Sequence, residues 1–264
     1  MTIARTAGSL AALGCAAAAH VLAPPSWSDV RELGAWLVRP LALPLAWSGM
    51  KEAQQHGDAA EAFARSQQLL HLVPGWTDGH AVFAFRHALG SAAEHSASGA
   101  TPAERAPAAL RRLQTALAWL ESARTNAGRH EVDLLLSMAS LAEIAGSREP
   151  GIDPLLRADG GTIGIADRCL AAAERLRPSA AVREQRTFLS PRLAGSLLAS
   201  GDRDRALAVL DNAVARSEEV RDRELAAEWR SRLDEVRRCL RGERVDLRSV
   251  RADPRMAPLL PWLP

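Results

Sequence analysis

A glycine followed five residues later by an alanine recurs along this chain, with an aspartate after the glycine in two copies and a proline twelve residues after the alanine in two copies, and this spacing constrains its fold most strongly. The first copy is Gly57-Asp58, Ala62 and Pro74. Later copies are Gly161, Ala166 and Pro178, and then Gly201, Asp202 and Ala206. Glycine tolerates the backbone of a tight turn, and aspartate accepts hydrogen bonds at a helix start. The pattern therefore predicts repeated helix-turn-helix hairpins.

The composition is that of an ordinary globular protein. Hydrophobic residues make up 47% of the 264 residues and charged residues 24%, so the chain as a whole is neither disordered nor a multi-span membrane protein. The net charge is only +2, which provides no general attraction to nucleic acid. Cys15, Cys169 and Cys239 form no zinc-ligand spacing. We expect no nucleic-acid partner, no metal site and no cofactor.

The N-terminus carries an uncharged segment, Thr6–Ala23. It is thin in strongly apolar residues, since only Leu10, Leu13, Val21 and Leu22 qualify, whereas a membrane span needs about 20 apolar residues. We predict an uncleaved membrane anchor over residues 1–25. A cleaved signal peptide or lipoprotein leader and an alanine-rich soluble helix are the alternatives.

A second apolar stretch, Leu33–Trp47, contains Pro40 and Pro44. Two interpretations of Trp27, Trp36 and Trp47 are open. Tryptophan is enriched at the lipid headgroup boundary, but tryptophans beside a first repeat also close the end of a hydrophobic core. We favour the core reading for Trp47 and its neighbours.

Apolar residues at three- and four-residue steps predict the helices of the body. The first hairpin is Trp47–Gln55 with Ala59–Leu72, and the second is Thr77–Glu94 with a helix opened by the capping box Thr101-Pro102-Ala103-Glu104. The third is Glu131–Ala145 with Ile163–Leu176, separated by an insertion loop over Gly146–Thr162. The fourth is Val182–Ala199 with Arg203–Glu218, followed by a capping helix Arg221–Leu240 and a tail, 242–264, with a short helix from Asp253 to Leu260.

These residues resemble the tetratricopeptide repeat family. The positions that carry the resemblance are Gly57, Asp58, Ala62 and Pro74; Gly161, Ala166, Ala173 and Pro178; and Leu193, Ala194, Leu197, Gly201, Asp202, Ala206, Leu210 and Ala213. The resemblance covers roughly residues 45 to 240. It implies an all-α fold, a TPR-like α-α hairpin solenoid of about four irregular pairs with a C-terminal capping helix, in a repeat domain spanning residues 26–241.

The resemblance also implies where a partner binds. The segment Trp47–Phe85 is similar to the start of membrane-anchored bacterial repeat proteins, which are usually interaction modules. In the family, ligand-facing positions lie on the first helix of each pair. This places the partner surface at Trp47, Lys51, Gln54 and Gln55, to which we add Arg86. The equivalent positions of the fourth pair are apolar: Phe188, Pro191, Gly195, Leu198 and Ala199.

Other candidate chemistry is weak. His71, His80, His87 and His95 cluster in sequence, but His80 and His87 are seven residues apart and cannot hold one metal alone. Gly160–Gly164 precedes a helix without the lysine of a phosphate-binding loop. We identify no catalytic residues.

We therefore expect a non-enzymatic protein-binding or scaffold module, tethered to a membrane by its N-terminus, on the periplasmic side. Its partner is a protein or peptide rather than a small-molecule substrate. One alternative is a helical enzyme or small-ligand sensor with a pocket near 146–162. Another is a structural subunit of a membrane assembly, and a cytoplasmic location is the alternative to the membrane.

Overall fold

Every regular element that the structure describes is helical. The computed structural model describes residues 30–73, 76–90 and 101–264, and within them no strand occurs, which confirms the all-α class. Across these ranges, no helix combines the length and the apolar character needed to cross a bilayer. The predicted anchor Thr6–Ala23, the predicted helix-stopping Pro74 and His95 lie outside the described residues.

The chain divides into two compact units. Unit 1 comprises residues 1–97 and 115–130, and unit 2 comprises residues 98–114 and 131–264. One helix, Pro102–Arg124, therefore contributes its first part to unit 2 and its last part to unit 1.

Unit 1 begins with the predicted first hairpin. Among the described residues of unit 1, the helices are α1 (Val30–Gln55), α2 (Ala59–Leu72), α3 (Thr77–Leu89) and the last part of α4 (Pro102–Arg124), followed by a 3-10 turn at Gly128–His130. Gly57 has a left-handed φ of 75°, and Asp58 Oδ1 accepts a 2.9 Å hydrogen bond from Glu61 N. The turn and the cap between α1 and α2 are confirmed.

The first helix is much longer than predicted. It begins at Val30 rather than at Trp47 and continues through Pro40 and Pro44. Proline removes an intrahelical hydrogen bond and usually breaks a helix. Here Leu43 and Ala46 pack against a core cluster of Met50, Leu69, Leu70 and Phe83. Burial against α2 offsets the cost of both prolines, which local propensity alone does not reveal.

Helices α3 and α4 form where the sequence predicts helices, but α3 ends earlier than predicted. The predicted Thr77–Glu94 helix ends at Leu89, followed by Gly90 at φ 64°. The capping box of α4 is confirmed, because Thr101 N donates to Glu104 Oε2 at 2.7 Å and Glu104 N donates to Thr101 Oγ1 at 3.4 Å. The bonds from the Thr101 backbone and then its hydroxyl lower the pKa of Glu104.

The α-helices of unit 2 among the described residues are the first part of α4, then α5 (Glu131–Arg148), α6 (Ile152–Leu155), α7 (Gly161–Leu176), α8 (Ala180–Ala199), α9 (Arg203–Arg216), α10 (Arg223–Leu240) and α11 (Arg248–Ala252). The long helices of unit 2 from α5 to α10 pack in sequence order, whereas the unit as a whole contains further helical segments. Helix α5 packs on α7, α7 on α8, α8 on α9, and α9 on α10. Gly201 has φ 82° and Asp202 Oδ1 caps Arg205 N at 3.1 Å, so the predicted turn between α8 and α9 is confirmed.

The interval Gly146–Thr162 is not the predicted insertion loop. Helix α5 continues to Arg148, and the connector then forms α6 and a 3-10 turn, Arg157–Asp159. Asp153 accepts hydrogen bonds from the backbone N–H and the hydroxyl of Thr162, at 2.8 and 2.7 Å. This long-range cap folds the connector back onto α7, and the spacing of its glycines and prolines gives no indication of it.

Helix α10 packs on α9 and buries the apolar face that its sequence spacing predicts. Trp229, Leu233 and Val236 are fully buried, and Arg232 pairs with Glu228 at 3.2 Å. On the same helix, the i, i+4 spacing of Asp234 and Arg238 gives no ion pair, because Arg238 reaches Glu243 beyond the helix end, at 2.6 Å.

The C-terminal tail forms a 3-10 helix, Pro254–Trp262, where a short helix from Asp253 to Leu260 was predicted. Asp253 caps its start by accepting from Arg255 N at 3.0 Å. The segment packs against α8, and a side chain at Gly195 would meet Pro258 O at 2.5 Å. The glycine therefore allows the tail to lie directly on α8.

Candidate partner-binding grooves

Unit 1 contains a groove, here called groove A, formed by α1, α2, α3 and the turn between α1 and α2. Its volume is about 240 Å³, and it is lined by Gln54, Gly57, Asp58, Ala62, Phe63, Ser66, Phe83, Arg86, His87 and Gly90. The interior of the groove is small for a drug-sized ligand, which typically fills about 300–1,000 Å³. A groove of this size accommodates a side chain or two of a bound peptide.

The floor of groove A is aromatic. Phe63 and Phe83 are buried, with 9% and 6% of their surface exposed. The ring of His87 stacks on Phe63 with centroids 4.0 Å apart, and Trp119 meets Phe63 edge-on at 6.3 Å. Two rings therefore contact Phe63 from different directions, and together with Phe83 they make the floor of groove A aromatic and apolar.

The rim of groove A carries polar groups that are available for a partner. Arg86 is exposed and makes no hydrogen bond or ion pair with any described residue, and the Gln54 side chain likewise makes no hydrogen bond within the described ranges. By contrast, Ser66 is occupied, since its hydroxyl donates to Ala62 O at 2.7 Å, and Asp58 is occupied as the cap of α2. Arginine binds carboxylates through two parallel hydrogen bonds, so Arg86 provides an anion-binding group beside an apolar floor.

The structure brings together two of the five predicted partner residues. Gln54 from α1 and Arg86 from α3 both line groove A. Trp47 and Lys51 lie outside the lining but precede Gln54 by seven and three residues, which puts all three on one face of α1. Trp47 is 37% exposed. Gln55 is exposed on a neighbouring face of the same helix.

Sequence reasoning missed Phe63, Phe83 and His87 as parts of a site. Phe63 and Phe83 read as core residues from their helical spacing, and that reading is correct for most of each ring. Only the packing of α2 beside α3 shows that one edge of each ring borders the groove. His80, the histidine predicted to share a face with His87, is buried and lies over Trp119 with ring centroids 5.0 Å apart.

Unit 2 contains a wider groove, groove B, along one face of α8. Its volume is about 500 Å³, and it is lined by Glu143, Ala181, Glu184, Gln185, Phe188, Leu189, Arg192 and Arg221. The floor residue Phe188 is supported from behind by the edge of Trp229, with centroids 5.0 Å apart. Glu143 of α5 holds Gln185 at 3.4 Å and Arg192 at 3.5 Å. Groove B is thus a charged channel with an apolar floor.

Most of the apolar positions of α8 that are equivalent to the predicted partner surface are buried. Phe188 borders groove B, but Pro191, Gly195 and Leu198 are buried, and the C-terminal 3-10 helix covers Gly195. The tail occupies this face because the face is apolar and would otherwise be exposed to water.

At the start of α7, within the Gly160–Gly164 stretch, the polar groups of Thr162 are already occupied. The Thr162 N–H and hydroxyl at the start of α7 are both bonded to Asp153. Neither groove A nor groove B is lined by a residue between Gly146 and Thr162. In the described part of the chain, no group of three or more histidine, cysteine, aspartate or glutamate side chains is arranged to hold a metal ion.

The sequence matches no protein-family model, and neither a curated protein nor a solved structure shows significant similarity to the chain.

Proposed function

We propose that this protein is a non-enzymatic interaction module that binds a polypeptide segment in groove A. The observation that carries the proposal is Arg86, which pairs with none of the described residues, beside the aromatic floor of Phe63 and Phe83. Buried apolar contact supplies most of the free energy of such binding, and polar groups set the register. The preferred segment has an apolar side chain for the floor and a nearby carboxylate for Arg86.

The proposal includes a TPR-like solenoid. It is supported by the two glycine-aspartate turns, by the stacking of α5, α7, α8, α9 and α10 in unit 2, and by the capping role of α10. It also includes a tether to a membrane through the uncharged N-terminal segment, on the periplasmic side, which rests on the sequence of Thr6–Ala23. The tether would hold the module at a surface where its partners are concentrated.

A binding experiment with defined peptides tests groove A. Fluorescence anisotropy compares labelled peptides that carry leucine followed by glutamate with peptides that carry leucine followed by glutamine. We expect the glutamate peptide to bind more tightly, and Arg86→Gln to weaken it about tenfold or more, because a hydrogen bond to a charged group contributes about 1.5–3 kcal/mol. The glutamine peptide should respond little to the same substitution.

Arg65→Gln is the matched control, because Arg65 is an exposed arginine of unit 1 that pairs with Glu61 and does not line the groove. Crosslinking in native membranes, with a photoreactive residue at Gln54, then identifies the natural partner by mass spectrometry. Equal affinity of both peptides for the wild type and for Arg86→Gln would contradict the proposal. So would an identical crosslinking pattern in the presence and absence of the Arg86 substitution.

A further inference from the structure

Helix α1 is apolar on two opposite faces, and only one of them is buried. The buried face carries Leu43, Ala46 and Met50, which pack into the core of unit 1. The opposite face carries Val38, Leu41 and Leu45, which are 53%, 77% and 74% exposed. These three residues, here called the α1 stripe, are spaced at i, i+3 and i+7 and therefore form one continuous row.

A row of large apolar side chains in water is unusual for a folded protein. Single exposed apolar residues are common, but a contiguous apolar patch usually marks a surface that another body covers. Leu41 and Leu45 are the two most exposed large apolar residues of the described chain. The α1 stripe therefore requires an occupant.

The sequence around the stripe indicates lipid. Residues 6–50 contain only four charged side chains, Asp29, Arg31, Glu32 and Arg39, and Arg39 is 2% exposed on the buried side of the helix. No carboxylate lies between Glu32 and Glu52. A helix that rests in the bilayer interface presents its apolar face to the acyl chains, and the α1 stripe itself contains no acid. The exposed Glu52, seven residues after Leu45 on the same face, lies beyond the stripe near the end of the helix.

A second copy of the chain fits the stripe less well. A stable dimer buries about 800 Å² on each partner, and three aliphatic side chains over two helical turns offer much less. Contact with a membrane does not require a minimum buried area of this kind when another segment of the same chain already holds the protein at the bilayer. One weak membrane anchor gives marginal binding, whereas two together give stable attachment.

We propose that the α1 stripe rests on the lipid surface and acts as a second membrane contact beside the N-terminal segment. This inference rests on the proposed tether, because the tether brings the stripe to the bilayer at a high effective concentration. The attraction is apolar, so it operates on zwitterionic lipid and does not depend on the net charge of the protein.

A fluorophore placed in the stripe of the full chain tests the inference directly. Leu41→Cys, in a Cys15→Ser/Cys239→Ser background, is labelled with an environment-sensitive dye, and zwitterionic vesicles are added. We expect a blue shift and quenching by spin-labelled lipid. Val82→Cys is the matched control, since Val82 is an exposed residue of α3, at 54%, outside the stripe, and its dye should not shift.

Vesicle flotation gives the strength of the contact. Leu41→Ser/Leu45→Ser should lower the lipid partition of the full chain about tenfold or more, because each leucine loses part of its apolar transfer free energy. The control Leu155→Ser/Leu176→Ser removes two other half-exposed leucines and should leave partition unchanged.

Three results of the flotation and dye experiments would overturn the inference. If the wild type does not float with vesicles, the proposed tether fails, and the inference fails with it. If the wild type floats but the Leu41 dye does not shift, the inference alone is wrong. A dye already shifted without vesicles shows that a second copy or another part of the chain covers the stripe, which also overturns the inference.

Discussion

The two units are both helical, but they differ in where aromatic rings meet. In unit 1, Trp119 contacts Phe63, His71 and His80, and Trp76 contacts Phe83. In the described part of unit 2, Phe188 meets Trp229, and small residues such as Ala166, Ala194 and Ala206 are fully buried between the helices. Small residues let helices approach closely, whereas the rings of unit 1 reach the surface at Trp76, which is 42% exposed.

The ion pairs of the two units differ in whether they join two helices or lie within one helix. In unit 2, Arg186 of α8 holds Asp167 and Glu174 of α7 at 2.9 and 2.6 Å. Burial opposes the charge of Arg186, but these carboxylates outweigh it and raise its pKa. In unit 1, the pairs Arg65–Glu61 and Arg124–Glu121 each lie within one helix. Ion pairs thus link the helices of unit 2, while in unit 1 Arg86 makes no ion pair with any described residue.

The largest expected effect compares a tryptophan from each unit. Trp229→Ala should lower the free energy of unfolding by about 3–5 kcal/mol, because Trp229 is fully buried against Phe188 and beneath Arg255. Trp119→Ala should cost about 2 kcal/mol, since Trp119 is only half-buried. Urea denaturation followed by circular dichroism measures both.

Trp229→Phe is the control for this comparison. The indole N–H of Trp229 is buried without a hydrogen-bond partner, so phenylalanine keeps much of the packing and loses no hydrogen bond. Equal destabilisation by the two alanine substitutions would show that the rings of unit 1 and the closing helix of unit 2 are equally important for stability.

The next largest effect is expected at Asp253, which links the C-terminal 3-10 helix to α10. Asp253 is buried and pairs with Arg232 and Arg255, each at 2.8 Å. The hydrogen bond from the Arg255 side chain is the main cause that lowers the pKa of Asp253, against the opposing effect of burial. Asp253→Asn should therefore cost about 2 kcal/mol at neutral pH, because it leaves two arginines and a helix start poorly paired.

This loss should depend on pH in a defined direction. A carboxyl whose pKa is lowered on folding adds stability above its unfolded pKa of about 3.9, and that stability disappears as pH falls through the folded pKa. The difference between the wild type and Asp253→Asn should therefore shrink below about pH 4. Asp246→Asn is the control, since Asp246 pairs with Arg248 on the surface. An equal loss from both substitutions would show that burial of Asp253 is unimportant.

The smallest effect is expected at the surface of unit 1. Arg65 and Glu61 are both close to half-exposed, and exposed pairs contribute about 0.2–1 kcal/mol. A double-mutant cycle of Arg65→Ala and Glu61→Ala, measured by urea denaturation, should give a coupling free energy below about 0.5 kcal/mol. A coupling above about 1 kcal/mol would mean that local pairs stabilise unit 1 as the interhelical pairs stabilise unit 2.

Much of the fold follows from short stretches of sequence. The turns at Gly57-Asp58 and Gly201-Asp202 and the capping box at Thr101 can be identified from sequence because each depends on residues within four positions of one another. Part of the candidate site is also accessible, since Gln54 and Arg86 belong to the predicted surface. Groove A itself is not, because it exists only where Phe63 and Phe83 from two helices meet.

The sequence by itself determined the helical class, the two glycine-aspartate turns and the apolar seam of α10, because these depend on backbone preferences and on spacing along one helix. The tertiary structure alone decided that α1 continues through Pro40 and Pro44, that the tail covers Gly195, and that Asp153 caps α7. Each of these outcomes is set by contact between groups distant in sequence, whose burial outweighs local propensity.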